Sequence, residues 1–179
     1  MANHVSWRFQ IHQASKEVME KFSKMQEICE ERCEEQNVGL RFVDMFADPK
    51  KVIEEVDLPK WNTVDDFDSD TIVGTSAWGA PIEGCAELLR ELGDKDIISS
   101  ITYDDEGLNF IGCTVFKGSH EFEEEYLEHD EIMDLVRERL EANLKEGEEL
   151  SEDDLDDMKW EEAYIILDEV SDAAIERLT

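Results

Sequence analysis

The chain is short of the residues that would place it quickly in a specialised class. None of its apolar stretches approaches the ~20 residues that a membrane-spanning helix needs, and its first residues, MANHVSWRFQ, have neither a basic segment nor an apolar one of the kind a secretory leader carries. Cysteine is sparse: Cys29, Cys33, Cys85 and Cys113 follow no disulfide framework, which points to a reduced, cytoplasmic setting. There is no Gly-rich phosphate loop, no helical pair of metal-binding histidines and no nucleophile motif beside a base, so the enzyme classes marked by such motifs are excluded. Bases are scarce too: 17 Lys and Arg face 48 Asp and Glu, for a net charge of -31. A surface of that sign repels phosphate, which argues against direct binding to DNA, RNA or an anionic membrane.

What is present is a foldable chain. With 179 residues, 41% of them hydrophobic, and 4 Trp and 8 Phe, it can bury a core and is no disordered acidic tail. The charge is uneven: residues 118–179 hold 24 acids and 5 bases, whereas the first 117 hold 24 acids and 12 bases. Halophilic adaptation spreads acids evenly and depletes Lys; the clustering here, with ten Lys retained, argues for another explanation.

Taken in order, His4 to His12 alternate, with Val5, Trp7, Phe9 and Ile11 on one face and His4, Ser6, Arg8, Gln10 and His12 on the other, which predicts a strand with one buried face. Ser15 caps a helix whose stripe is Val18, Met19, Phe22, Met25, Ile28 and Cys29. The apolar run Val38 to Phe46 is expected to be the second strand. Ala47 to Asp70 reads as an irregular connection holding a short helix from Pro49 to Val56 capped by Asp48. Thr71 to Trp78 is β-branched, Pro81 to Leu92 is a helix closed by Gly93, and Asp96 to Tyr103 with Leu108 to Lys117 flank the hairpin signal Asp104-Asp105-Glu106-Gly107. Beyond Gly118 the pattern is expected to be wholly helical: Asp130 to Leu144 carries Ile132, Leu135, Val136 and Leu140, and Ser151 with Asp154 forms a capping box before a stripe of Trp160, Ala163, Tyr164, Leu167, Val170, Ala174 and Leu178. The expected fold is α+β: a ferredoxin-like antiparallel sheet over residues 1–118 with two helices on one face, plus an acidic helical extension over residues 119–179 packed on it as one unit.

The N-terminal strand MANHVSWRFQIH, the segment TSAWGAPIEGCAELLREL and the hairpin ITYDDEGLNFIG resemble the YubB-like family of plasmid and phage proteins, over about half of the chain. Trp78 followed by Pro81 leads into the second helix, and Tyr103, Glu106, Gly107, Phe110 and Gly112 form the last hairpin, as in that family. The resemblance implies a ferredoxin-like domain and a mobile-element origin, and no established activity.

The remaining motifs divide between chemistry and structure. Cys29 and Cys33 lie four apart on a helix, but Cys29 extends the apolar stripe and Cys85 and Cys113 sit among core residues, so buried thiols are expected rather than metal ligands. Asp66, Asp68 and Asp70 alternate like a calcium loop, yet Thr71 and Ala77 stand where such a loop needs Gly and Glu, so a solvated connector is expected. His120, Glu128, His129 and Asp130 have no nucleophile beside them, so no catalytic residue, metal or cofactor is assigned. The polar row His4 to His12 on an open sheet face lacks the exposed aromatics on which RNA bases stack. The acidic runs carry the strongest functional expectation, because ten acids with one Lys from Glu146 to Glu162 cost stability by repulsion that solubility does not require.

The expected function is that of a non-enzymatic nucleic-acid mimic from a phage or similar element, which occupies the basic groove of a host DNA- or RNA-binding protein and inhibits it in the host cytoplasm. Its expected partner-binding residues are Glu123, Glu124, Glu125, Glu128, Glu148, Glu149, Glu152, Asp153, Asp154, Asp156 and Asp157, with Trp160 and Tyr164 anchoring the helix that displays them. The alternatives are an accessory ferredoxin-like protein whose charge serves solubility, and a divalent-metal enzyme using Asp66, Asp68 and Asp70.

Overall fold

Six strands, β1 (His4–Gln13), β2 (Lys60–Phe67), β3 (Thr71–Ala77), β4 (Ile98–Asp105), β5 (Phe110–Lys117) and β6 (His120–Glu128), form one antiparallel sheet in the order β2-β3-β1-β4-β5-β6. They belong to a computed structural model that describes residues 3–144 and 150–179. Five α-helices, α1 (Lys16–Gln36), α2 (Pro49–Glu55), α3 (Ile82–Leu92), α4 (His129–Ala142) and α5 (Glu152–Glu176), complete a mixed α+β fold among the described residues.

The alternation of β1 divides the sheet into two faces. Val5, Trp7, Phe9 and Ile11 are buried against Val18, Phe22, Met25, Cys29 and Cys33 of α1 and Cys85, Leu88 and Leu89 of α3. The α1 residues recur at steps of three and four, so one stripe faces the sheet. Ser15 Oγ accepts from the Val18 amide at 3.3 Å, and Asn37 ends the helix in the left-handed region. Ile28, expected in that stripe, is exposed, and Cys33 takes the inward position one turn later. Trp7 needs room: Gly74 of β3 lies so close that an added Cβ would come 2.3 Å from both the indole ring and the Thr63 carbonyl.

Three expectations about elements are corrected. Val38 to Phe46 is not a strand: Phe42–Met45 is a 3-10 turn, and only Arg41 bridges to Thr63. Its buried residues, Phe42, Met45 and Phe46, are spaced by three and four, which suits a turn of helix pressed on Trp7. The connection from Ala47 to Asp70 contains α2, with Asp48 capping it as expected, and also β2. That strand escapes the hydrophobic pattern because one inward position is Asn62, the next being Val64. The segment after Gly118 is not wholly helical: His120 to Glu128 is a strand paired along β5 from Lys117↔His120 to Phe110↔Glu128. Glutamate has low strand propensity, and it is the ladder with β5 that sets this segment's conformation. Gly118 forms the tight turn between β5 and β6 at φ 59°, with its amide donating to the Ile97 carbonyl at 2.8 Å.

A second core lies on the opposite face. Ile111, Cys113 and Val115 of β5 pack against Ile132, Val136 and Leu140 of α4 and Leu155, Ala163, Ile166 and Leu167 of α5. Within α5, Tyr164 is exposed, whereas Ile166, absent from the expected stripe, is buried. Strands β4 and β5 are therefore covered on both faces, while the face of β1, β3 and β2 that bears Ser6, Arg8, Val73 and Thr63 is open.

Candidate functional site

The acidic third of the chain is built on β6 and on the first turns of α4 and α5. Strand β6 is a sheet edge, so its outer backbone groups have no neighbouring strand. Glu123, Glu124 and Glu125 occupy successive positions there, opposite Val115, Thr114 and Cys113, and Glu128 lies opposite Phe110. Glu128 also heads α4, sharing a reciprocal capping box with Glu131. At the start of α5, Ser151 Oγ accepts from the Asp154 amide at 3.1 Å, and the Asp154 carboxylate accepts from the Ser151 amide at 3.3 Å, so the expected box is present. Acids in a first turn meet the positive end of the helix, which is where such charge is tolerated best.

The eleven residues expected to bind a partner do not behave alike. Glu123 turns back on the protein and holds Arg177 near the end of α5, with Nε donating at 2.9 Å. Glu152 pairs with Arg137 at 3.4 Å, Asp156 pairs with Lys159, and Asp154 is spent on its cap. Glu124, Glu125, Asp153 and Asp157 are exposed, with no hydrogen bond or ion pair among the described residues. Glu148 and Glu149 lie outside the described residues. Trp160 is half-buried and packs beside Tyr164 at a ring separation of 6.0 Å, whereas Tyr164 itself is exposed rather than anchored in the core.

The helices that present these acids are fixed. Arg139 of α4 donates to two glutamates of α5, from Nε to Glu162 at 3.0 Å and from Nη1 to Glu169 at 2.7 Å. Glu162 is buried, so the guanidinium compensates a charge that would otherwise be desolvated. Both hydrogen bonds, with Glu169 the larger influence, raise the Arg139 pKa further above its usual range.

A second feature lies where α5 crosses the sheet. A cavity of about 340 Å³ is bounded by Ser6, Arg8 and Thr102 of the strands, Asp104, and Tyr164 and Asp168 of α5. Burial pushes the Asp104 carboxyl up to about 6, against the opposing hydrogen bond from Tyr164, whose hydroxyl donates to Oδ2 at 3.5 Å. Its neighbour Asp105 is fully buried and serves the β4–β5 turn, accepting from the Asn109 amide at 2.5 Å and from Asn3 Nδ2 at 3.1 Å. The motif Asp104-Asp105-Glu106-Gly107 signals the hairpin correctly, but Asp104 and Asp105 complete β4 and carry different tasks. Nothing local marks Asp104, because its environment comes from a helix that follows it by some sixty residues in sequence.

The other residues singled out in the sequence are also placed. All four cysteines are buried and free; burial raises Cys29 to about 12, with the adjacent Cys33 adding to it, and pushes Cys85 higher still. Asp66 is in β2, Asp68 accepts from the Ser69 amide at 2.6 Å, and Asp70 accepts from the Thr71 hydroxyl at 2.9 Å, so the last two carboxylates serve the β2–β3 turn. Among the described residues no three His, Cys, Asp or Glu side chains converge as a metal site would require. His129 contacts the Leu108 carbonyl at 3.0 Å, and His12, its pKa lowered by burial, bonds Ser100 Oγ at 2.8 Å. The open face does border an exposed aromatic, contrary to expectation: Trp61 of β2 lies 6.5 Å from the His4 ring. No described helix is long and apolar enough to cross a membrane. No family model matches the chain, and neither a curated protein nor a solved structure matches it.

Proposed function

We propose that the chain is a non-enzymatic acidic mimic of nucleic acid, which occupies the basic groove of a DNA- or RNA-binding protein and inhibits it. The observation that carries this reading is the edge strand β6. Consecutive residues of a strand rise about 3.3–3.4 Å each, and one strand of B-DNA carries a phosphate about every 3.4 Å of axis. Successive side chains point to opposite faces, so Glu123 and Glu125 stand on one face of β6, about 6.7 Å apart, and Glu124 on the other, and the edge strand lines both sides of the sheet with carboxylates while its inner side is paired to β5. The acids at the start of α5 add a second group, held by α4 through Arg139. A partner groove would meet charge that is already positioned, which lowers the ordering cost of binding.

We read the order β2-β3-β1-β4, with α1 and α3 on one face, as a ferredoxin-like body, extended by β5, β6 and the α4–α5 pair. The resemblance to YubB-like proteins supports a phage or plasmid setting, with the target supplied by the host cytoplasm. The competing reading is an accessory protein whose acids serve solubility, and it is favoured by Glu123, Glu152, Asp154 and Asp156 being engaged within the chain.

Affinity capture from host lysate at low salt, followed by competition with duplex DNA, separates the two. Mimicry expects a basic nucleic-acid-binding protein that elutes steeply with salt and that DNA displaces. The variant Glu124→Lys, Glu125→Lys, Asp153→Lys, Asp157→Lys should lose that capture while keeping its circular dichroism spectrum. Recovery of no such protein, or equal capture by the variant, would sink the proposal.

A further inference from the structure

We propose that the outer edge of β6 takes up an extended segment of a partner protein as a seventh strand, a segment in which Arg or Lys alternates with apolar residues. The inference rests on the reading of β6 as the partner-facing element and deepens it, by adding a backbone contact that a groove lined with basic side chains does not need. The sheet has two edges, β2 and β6. Along β2 the outer side is partly taken: the Val64 amide donates to the Leu40 carbonyl at 3.0 Å, and Arg41 bridges to Thr63. Along β6 the backbone of residues 121–127 makes no hydrogen bond beyond β5 among the described residues. An open row of N–H and C=O groups is a template for another strand, and such edges are ordinarily blunted by Pro, Lys or a covering segment. His120–Glu128 holds neither Pro nor Lys and runs for nine residues, against a usual strand length of about five or six.

The side chains decide which strand fits. Five of the nine residues are glutamate, so a second copy paired edge to edge would set carboxylate against carboxylate, which destabilises a cross-strand pair. Opposite charge reverses the sign. Glu124 and Glu125 are exposed, point to opposite faces and form no ion pair among the described residues, so both await a cation. Tyr126 specifies one position further. Tyr103, Phe110 and Tyr126 form a row of rings across β4, β5 and β6, with Tyr103 edge-on to Phe110 at 6.3 Å and Phe110 stacked on Tyr126 at 5.5 Å. The row stops at the sheet edge, where Tyr126 is 48% exposed. Tyr126 pairs with Gly112 and Glu124 with Thr114, which puts both side chains on one face, two residues apart. A guanidinium from the added strand lies over that ring and beside that carboxylate, joining a cation–π contact to an ion pair, so Arg is preferred to Lys there.

The test is titration of the full chain at low salt with a nine-residue peptide alternating arginine and valine, and with the same peptide N-methylated along its backbone. The first is expected to bind saturably and to slow hydrogen exchange at the outward-facing amides of residues 121–127, leaving the first turn of α5 unchanged. The second keeps its charges but has lost its N–H donors, and should bind at least ~10-fold more weakly. Tyr126→Ala should weaken the first peptide about 3-fold, and Glu124→Lys with Glu125→Lys at least ~10-fold. If both peptides bind alike and the β6 amides exchange at their free rates, strand addition is wrong, while the acidic surface keeps its partner role. If neither peptide binds at millimolar concentration, or if the Tyr126 and lysine variants bind as the parent does, strand addition and the partner-facing reading of β6 fall together. A dimer of the chain formed through β6 at low salt would also overturn the proposal, because the edge would then be filled by a second copy.

Discussion

Replacing Asp104 by Asn should stabilise the protein, and increasingly so as pH rises. The carboxyl is displaced from its ordinary 3.8 to about 6, chiefly because α5 covers it. A carboxyl whose folded value is raised favours folding while protonated; its contribution is complete below pH 3.8 and is lost as pH climbs to about 6. Each tenfold change in acidity corresponds to about 1.4 kcal/mol, which sets an upper bound of ~3 kcal/mol for this displacement. Asp104 remains part-exposed, so screening by water reduces the expected effect to about 1–2 kcal/mol. Asn retains an oxygen to accept from Tyr164, and that bond is long at 3.5 Å, so little is lost by the exchange. Urea unfolding of parent and variant at pH 5 and pH 8, both above the isoelectric point near 4.2, tests this directly. The variant should be ahead by ~1–2 kcal/mol at pH 8 and by roughly half of that at pH 5. An advantage that does not change with pH, or a variant that is weaker at pH 8, would refute the assignment of buried charge to Asp104.

Gly74→Ala forces a methyl group to within 2.3 Å of the Trp7 ring and the Thr63 carbonyl, and a loss of about 2–3 kcal/mol is expected by chemical denaturation. A loss below about 0.5 kcal/mol would mean that β2 moves away freely. The four thiols should resist a thiol-specific dye in the native state at pH 8 and react fully in guanidinium; rapid native labelling would contradict their burial. The lysine variant at Glu124, Glu125, Asp153 and Asp157 should melt higher than the parent at low salt, with the difference closing in 1 M salt as screening takes over. A lower melting point at low salt would show that these acids support the fold rather than strain it.

What the sequence revealed and what it concealed follow from where each signal resides. Local chemistry was legible: the Ser15 and Asp48 caps, the Ser151–Asp154 box, the alternation of β1 and the β4–β5 hairpin are each written within a few residues. The helical stripes gave Ile132, Val136 and Leu140 correctly, but placed Ile28, Leu135 and Tyr164 inside when all three are exposed. Strands β2 and β6 were hidden for a common reason. They are the two edges of the sheet, where one strand neighbour suffices and the apolar alternation is weak. In β2 an inward position is Asn62, and in β6 glutamate fills most positions, so pairing with β3 and β5 overrides local preference. The division of the acids was equally invisible, because Arg177 reaches Glu123 and Arg137 reaches Glu152 only after the chain has folded. Asp104 belongs to the same class, an acid over which a distant helix closes.

The unequal covering of the sheet also orders its opening. Strands β4 and β5, with helices on both faces, must lose two cores before their amides reach solvent, whereas each edge strand loses one full strand neighbour, β2 together with its short contact to Leu40 and Arg41. Hydrogen exchange should therefore be slowest in β4 and β5 and faster along the two edges, β2 and β6, the latter having no buried side chain. The acids of β6 therefore depend for their placement on a single neighbour, β5, which is itself the most deeply held strand of the sheet.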